Sequence, residues 1–359
     1  MSAAASGPVV GASMPPADDR ARVPEPLLAR WLRTRAAWVF LLNVVLIAVF
    51  TAISRDHVFF SLQSFQSLMI GVSEGLLLAL GLSMLLGAGI FDLSIGANLV
   101  LSSVVGAKVI ASFQAVSGDP TSYADPGVAI LLGFVACIAM GALFGLINGL
   151  IIAVGEINSL IATLATLGIG TGVAFLVSGG SDVAAMPPVL QERLGLNMVG
   201  GVVPLPAILS LGALLILWIV VRYLRYGLRV QSIGSSRAAA ERAGIPVKSY
   251  LVSLTVLAGV LASLAGFIDL SKFGSTSLAG HNNDALAAVT AAVIGGTLLE
   301  GGYISVVGTL WGAALAVILQ FGLVIAGVSS FWQLIAVGFV LLLAVLLDRA
   351  AAQRRERAR

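Results

Sequence analysis

The stretch Gly87–Asn98 reads GAGIFDLSIGAN and lies between two long apolar runs. The runs Gln66–Leu86 and Leu99–Val116 are each nearly long enough to cross a bilayer, which takes about 20 apolar residues. Glycines together with a carboxylate, a hydroxyl and an amide at such a position indicate a broken membrane helix whose polar groups face a pathway. The alternative is that Asp92 or Ser94 merely caps the next helix, since both residue types are preferred caps.

Composition extends the membrane interpretation to the whole chain. Its 359 residues are 58% hydrophobic and 10% charged, whereas a soluble domain carries about 25% charged residues. The apolar runs are spread along the chain and are continuous rather than alternating, which argues against a β-barrel. We therefore predict an all-α polytopic membrane protein. A net charge of +3 gives no sign of nucleic-acid binding, and the single Cys137 excludes an internal disulfide.

The apolar runs predict about ten transmembrane helices. Their approximate cores are 36–53, 66–86, 96–116, 128–153, 159–178, 205–222, 250–270, 286–299, 303–325 and 331–347. Most Lys and Arg residues fall in the tail 1–35, the segment 223–249 with its flank, and the tail 349–359. The positive-inside rule places all three in the cytoplasm, which agrees with six spans before the segment and ten before the end. We expect a disordered tail 1–35 and a membrane domain 36–348.

A second glycine-rich break occurs at Gly295-Gly296-Thr297 and continues to Gly301-Gly302. Like the stretch 87–98, it falls where an inward-running span turns back. Paired interruptions of this kind indicate an internal repeat around a central pathway. Close helix packing through small residues is the alternative explanation for these glycines.

Two charges lie deep in the predicted second and third spans. Glu74 and Lys108 are each about 12 Å from the expected outer ends of adjacent antiparallel helices. We predict that they form a buried ion pair, because an unpaired buried charge is costly. A role in transport is the alternative.

Uncharged polar residues are the candidates for a pathway lining. They would suit a hydroxyl-rich solute, although such residues also bond helix to helix. The residues are Asn98, Asn148, Asn158, Thr163 and Thr166. Only two histidines occur, His57 and His281, so we expect no metal site and treat His281 as a loop residue.

The segment 223–249 contains a predicted short helix. Ser235 or Ser236 can cap a helix over Arg237–Ala243, with Gly244 at its end and Pro246 just beyond. A capped, charged helix between two spans could dock into a cytoplasmic subunit. Its basic residues could equally serve only to fix the topology.

From about residue 60 to its end, the chain resembles the permease subunit of bacterial ABC importers of the ribose, xylose and galactose type. Members of that family carry GGIDLSVG, NGLLV followed by PFIVTLGT, IGGNxxAARxxGI, IGGTxxxGGxGSVxGT and SPFWQ. The matching stretches here are Gly89–Gly96, Asn148–Ile152, Ser159–Thr166, Ile233–Ile245, Ile294–Thr309 and Ser329–Gln333. The match departs most inside the cytoplasmic stretch, where Ser235-Ser236 replaces Gly-Asn.

The resemblance implies a passive pathway for a monosaccharide or related polyol, with no catalytic residue, metal or cofactor. In such importers two permease copies form a pore in the inner membrane, a soluble binding protein delivers the solute, and cytoplasmic ATPase subunits supply the energy. The chain itself has no GxxxxGK[ST] phosphate loop. The resemblance makes the predicted short helix the coupling helix, with Ser236, Arg237, Glu241, Arg242 and Gly244 as its contact residues. The expected pathway and break residues are Asp92, Ser94, Asn98, Asn158, Thr163, Gly295 and Gly296.

Other functions remain open at this point. A nucleoside or branched-chain amino-acid importer would share the helix pattern. An ion-coupled carrier would use Glu74, Lys108 and Asp92. An intramembrane enzyme has little support, because the chain has neither an HExxH pair nor a carboxylate dyad around Asp92.

Overall fold

The computed structural model describes residues 34–115, 119 and 121–329, together with the single positions 332, 335, 338, 339, 342 and 346. Nearly all of the predicted tail 1–35, most of the predicted tenth span and the basic tail 349–359 lie outside these residues. Within them the chain is almost entirely helical, and its one sheet is a two-residue hairpin of β1 (Met198–Val199) and β2 (Val203–Pro204).

Eleven α-helices of more than one turn follow one another in the described residues. They are α1 (Arg35–Ile53), α2 (Leu62–Gly87), α3 (Ile95–Ala111), α4 (Pro126–Ala153), α5 (Ser159–Ser178), α6 (Leu205–Tyr223), α7 (Arg225–Ser235), α8 (Arg237–Arg242), α9 (Val247–Phe273), α10 (Asp284–Ile294) and α11 (Val306–Ile325). A 3₁₀ turn, Arg55–Phe60, joins α1 to α2, and a short helical turn, Pro188–Leu190, precedes a π turn, Gln191–Gly195.

Seven of the described helices are long and apolar enough to cross a membrane. Two further apolar helices are shorter: α3 has 17 residues and α10 has 11. The prediction of an all-α polytopic membrane protein is confirmed. The predicted eighth span, 286–299, corresponds to a helix that rises only about 16 Å at 1.5 Å per residue, so it cannot cross the hydrocarbon core alone.

Helices α2 and α9 form the centre of the bundle. In the most apolar window of each, 72% and 67% of the residues are buried, against 22–28% for α1, α4, α5 and α6. α9 packs on α4, α2 and α3, while α10 and α11 pack on α2 from its other side. The outer helices expose apolar side chains such as Leu176 and Ile216, as expected for surfaces that meet lipid.

Small residues bring α4 and α9 together. α4 carries Gly141, Gly145 and Gly149 at intervals of four residues, which places them on one face. A Cβ at Gly145 would lie 2.9 Å from the Val256 Cα, so the two backbones touch. Close packing through small residues, offered above as an alternative explanation for the glycine-rich breaks, does explain this part of the bundle.

The two ends of the bundle differ in what they carry. At one end, called the α8 end, lie α7, α8, the start of α9 and the loop 154–158, where Lys248 Nζ lies 2.8 Å from Glu156 Oε1. This hydrogen bond and the Lys248 charge hold the pKa of Glu156 below its ordinary value. At the other end, called the far end, the loops 179–187 and 274–278 are joined by hydrogen bonds, such as Leu278 N–H to Asp182 Oδ1.

Candidate functional site

The first break is held in shape by Asp92. Its Oδ1 accepts hydrogen bonds from the Ser94 backbone N–H (2.7 Å) and from the Ser94 hydroxyl (2.6 Å). Asn148 Nδ2 on α4 then donates to Ser94 Oγ at 2.8 Å. Ser94 occupies the cap position of α3 but its side chain makes no capping bond, so Asp92 is the residue that orders this turn.

Helix α5 fixes the same break from another side. The Leu93 N–H donates to Thr163 Oγ1 at 3.3 Å, and the Phe91 N–H donates to Ser159 Oγ at 3.2 Å. Thr163 is fully buried, and Asp92 is only 6% exposed. These side chains therefore satisfy the backbone of an irregular segment, which a membrane protein must do internally.

The other predicted polar residues are scattered. Asn98 is buried on α3 one turn after Ser94. Its Nδ2 donates to the Gly141 carbonyl at 3.3 Å, and its Oδ1 accepts from the Ser102 hydroxyl. Asn158 is exposed and caps α5 through a 2.9 Å bond from the Leu160 N–H. The structure thus brings Asp92, Ser94 and Thr163 together, but not Asn98 or Asn158.

The second break packs tightly against α2 and α11. Gly296 has a φ of 99°, which favours glycine, and a Cβ at Gly295 would lie 2.5 Å from the Thr309 nitrogen. A buried cluster of hydroxyls binds this break to α2: Ser83 Oγ lies 2.6 Å from Thr309 Oγ1 and 3.3 Å from Thr297 Oγ1. Gly295 therefore serves close packing at this position, whereas Gly296 serves the backbone conformation of the break.

The two breaks meet each other and α7 at one point, called here the glycine junction (Gly87, Gly234, Gly301 and Gly302). The Gly302 N–H donates to the Gly87 carbonyl at 3.0 Å. A Cβ at Gly234 would lie 2.6 Å from the Gly302 nitrogen and would also overlap the Gly87 carbonyl oxygen. A Cβ at Gly301 would lie 2.8 Å from the Gly234 carbonyl oxygen. Three segments of backbone thus touch where none has a side chain.

The predicted short helix is confirmed as α8. Ser236 caps it, its Oγ accepting from the Ala239 N–H at 3.3 Å, and Arg237 forms an exposed ion pair with Glu241 at 3.2 Å. Gly244 ends it with a φ of 77°, and the Ile245 N–H donates back to the Ala240 carbonyl. Because α8 begins three residues after Gly234, it is joined to the glycine junction without a long linker.

The predicted ion pair between Glu74 and Lys108 is wrong. Glu74 Oε1 lies 3.5 Å from Lys272 Nζ on α9, and Lys108 is exposed near the end of α3. The reason is the position of α9, which packs against both α2 and α3 and supplies its own cation. The prediction assumed that α2 and α3, which are adjacent in the sequence, are also adjacent in space. In the structure α9 contacts both helices.

The Glu74–Lys272 pair gives a testable prediction. Lys272→Met leaves Glu74 without its partner and should lower the free energy of unfolding by about 1–3 kcal/mol, less than for a fully buried pair because both side chains are partly exposed. Adding Glu74→Gln should restore part of the loss. Thermal unfolding of the purified protein measures both effects, and Lys108→Met is the control. A double variant no more stable than Lys272→Met would contradict the pairing.

His281 was treated as an ordinary loop residue, but it holds a charged cluster together. Its Nδ1 lies 2.7 Å from Asp284 Oδ2 and its Nε2 lies 3.2 Å from Asp269 Oδ2. Asp269 and His281 are also close enough to Glu74 to interact with it electrostatically. Asp269 and Lys272 lie three residues apart near the end of an apolar helix, a pattern that could have signalled the cluster. Among the described residues, no group of His, Cys, Asp and Glu could hold a metal ion.

Comparison with known proteins adds the family. Residues 64–345 match the family described as "Branched-chain amino acid transport system / permease component". The ribose import permease protein RbsC of Bacillus subtilis is 37% identical over 277 residues, covering 76% of this chain and 80% of that protein. The galactose/methyl galactoside import permease protein MglC of Haemophilus influenzae is 31% identical over 85% of this chain and 92% of its own length.

A third relative is the D-allose transport system permease protein AlsC of Escherichia coli, which is 29% identical over 86% of this chain and 90% of its own length. No solved structure shows significant similarity to the chain. The family match covers most of the chain, and the matched residues include both breaks and the segment containing α8. The chain is therefore a transport component rather than an enzyme. It belongs to the family described as "Branched-chain amino acid transport system / permease component".

Proposed function

We propose that this chain is the membrane permease of an ATP-driven ABC importer for a monosaccharide or related polyol. An extracytoplasmic binding protein delivers the solute at the far end, and cytoplasmic ATPase subunits act on α8. Two copies of the chain form the pore in a bacterial inner membrane, and their N- and C-termini lie in the cytoplasm. The ribose, galactose and allose named for the relatives support a sugar as the solute.

One observation carries the coupling part of this proposal. The capped helix α8 is exposed at one end of the bundle, and the glycine junction connects it to both helix breaks. Movement of α8 therefore reaches both breaks through direct backbone contact. A loop that only fixes the topology would need its basic residues alone. It would need no capped helix and no backbone-to-backbone contact with the membrane helices.

Reconstitution tests the function. The chain would be co-expressed with ATPase and binding-protein candidates from its own genome, placed in proteoliposomes and supplied with radiolabelled ribose, galactose, allose or leucine. We expect ATP-dependent uptake of a sugar that requires the binding protein and survives a protonophore. A complex with an inactive phosphate loop in its ATPase is the control.

Two outcomes would contradict the proposal. Preferred uptake of leucine would show an amino-acid importer, which the family description also names. Uptake without the ATPase that collapses with the proton gradient would show an ion-coupled carrier. The latter is disfavoured by the structure, because Glu74 is already paired with Lys272 and His281 with two carboxylates.

A further inference from the structure

The loop between α9 and α10 returns into the bundle. α10 rises only about 16 Å, roughly half of the ~30 Å hydrocarbon core, and its C-terminal end leads into the break that contacts Gly87 at the α8 end. Its first residue, Asp284, must therefore lie near the middle of the membrane. The His281 carbonyl also lies against the start of α3, since a Cβ at Gly96, in the first turn of that helix, would lie 2.8 Å from it.

Charged hydrogen bonds hold this loop in place. His281 uses both ring nitrogens, one toward Asp269 on α9 and one toward Asp284 at the start of α10. Behind this contact, Lys272 pairs with Glu74. The charged side chains of this region thus pair with one another, and both ring nitrogens of His281 are already used.

The tip of the loop presents uncharged polar groups instead. Asn282 and Asn283 are exposed, and within the described part of the chain their side chains make no hydrogen bond. Exposed amides at this depth cannot face lipid, because the hydrocarbon offers no hydrogen-bond partner. In the proposed importer these amides face the water-containing pathway.

A small cleft lies beside this tip. Its walls come from the start of α3, the middle of α5 and the loop; the lining residues are Gly96, Ala97, Val100, Leu167, Thr171, Leu278, His281 and Asn282. Thr171 is 12 residues from the start of α5 and seven from its end, which places the cleft about 18 and 10 Å from the two ends of that helix. A position at such a depth, beside a break and a half-length helix, is typical of solute sites in transporters built from broken helices.

We infer that Asn282 and Thr171 in the cleft, with Asn283 exposed beside them at the loop tip, form a solute-contact site for a neutral, polyhydroxylated molecule. Each amide offers two donors and one acceptor, and the Thr171 hydroxyl offers both, which matches the alternating donors and acceptors of sugar hydroxyls. No unpaired charge lies in the lining to favour an ionic solute. This inference rests on the proposed function and moves the solute contact from the buried residues Asp92, Ser94 and Thr163 to the re-entrant loop.

Thiol labelling tests the site without knowledge of the solute. In a Cys137→Ala background, the Asn282→Cys variant of the whole complex should react with a membrane-impermeant cationic methanethiosulfonate, and the reaction should block uptake. The Ile169→Cys variant is the matched control, because Ile169 is 63% exposed on α5 only two residues before Thr171 and should remain unlabelled in lipid. An unreactive Asn282→Cys thiol, or labelling that leaves uptake unchanged, would overturn the site.

Transport kinetics provide the second test, with radiolabelled ribose, galactose and allose as probes. Asn282→Leu and Thr171→Val should each lower the maximal uptake rate about 10-fold at unchanged half-saturating concentration, since capture is performed by the binding protein, while ATP hydrolysis continues. Ile216→Ala, on the lipid-facing side of α6 and outside the cleft, should transport normally. Normal uptake by both cleft variants would overturn the inference alone, whereas a wild-type complex that imports none of the three sugars would overturn the proposed function and this inference with it.

Discussion

Gly234→Ala is expected to lower solute uptake per assembled complex by about 10-fold or more. Gly234 lies inside α7, where alanine is a better helix former than glycine, so the substitution does not strain its own helix. Its new Cβ would instead overlap the Gly87 carbonyl and approach the Gly302 nitrogen to 2.6 Å. Both neighbours are backbone and cannot move aside as a side chain does. The glycine junction must open, which separates α8 from both breaks.

The measurement separates lost coupling from lost folding. Complex assembly is followed by size-exclusion chromatography, and ATP hydrolysis is measured with and without the loaded binding protein. We expect assembled complexes whose ATP hydrolysis no longer responds to the binding protein. Gly212→Ala is the matched control, because a Cβ at Gly212 in α6 meets no atom within 4 Å. Uptake and stimulation at wild-type levels in Gly234→Ala would contradict the role of the junction.

Asp92→Leu should destabilise the protein far more than Asp92→Asn. Leucine removes the acceptor of the Ser94 N–H and hydroxyl in a buried site, and each unsatisfied buried group costs about 1–3 kcal/mol. Asparagine keeps an oxygen where Oδ1 accepts both bonds. The expected result is a lower melting temperature and less folded protein in the membrane for Asp92→Leu, with Asp92→Asn close to wild type.

Folded membrane levels and thermal unfolding decide this comparison, with uptake measured per folded molecule. Ser112→Ala, at the exposed end of α3, is the control for loss of a hydroxyl near the same helix. If Asp92→Asn loses uptake as completely as Asp92→Leu while its membrane level and melting temperature stay normal, the negative charge itself acts in transport. The capping explanation would then be insufficient.

Local patterns were the most predictable features of the chain. The helix α8 was predictable from Ser236, a preferred cap residue at its start, and from Gly244 at its end. Both act within one turn of the helix, so no distant contact is needed. The helix breaks at Gly87 and Gly295 follow from glycines that interrupt apolar runs. The long spans were predicted within a few residues of their observed ends, because each corresponds to a continuous apolar run in the sequence.

Contacts between distant segments were not predictable in this way. Lys272 is 198 residues from Glu74, and nothing in the sequence near either residue names the other as its partner. The apolar run 286–299 is short for a span, but the sequence did not place the start of α10 within the bundle, because composition reports burial but not depth. The sequence marked Gly234 only as part of the family stretch Ile233–Ile245, and its contacts with Gly87, Gly301 and Gly302 became visible in the structure.

The sequence by itself determined that this is a polytopic helical membrane protein with two broken helices, a capped helix between spans and the motifs of a transport permease. These properties depend on composition and on residues a few positions apart. Only the tertiary structure decided that α9 separates α2 from α3, that the breaks meet at Gly234, and that Asn282 and Asn283 are exposed at the tip of the loop before α10. Such facts depend on which helices pack together, and apolar faces in a membrane are too alike for the sequence to specify their partners.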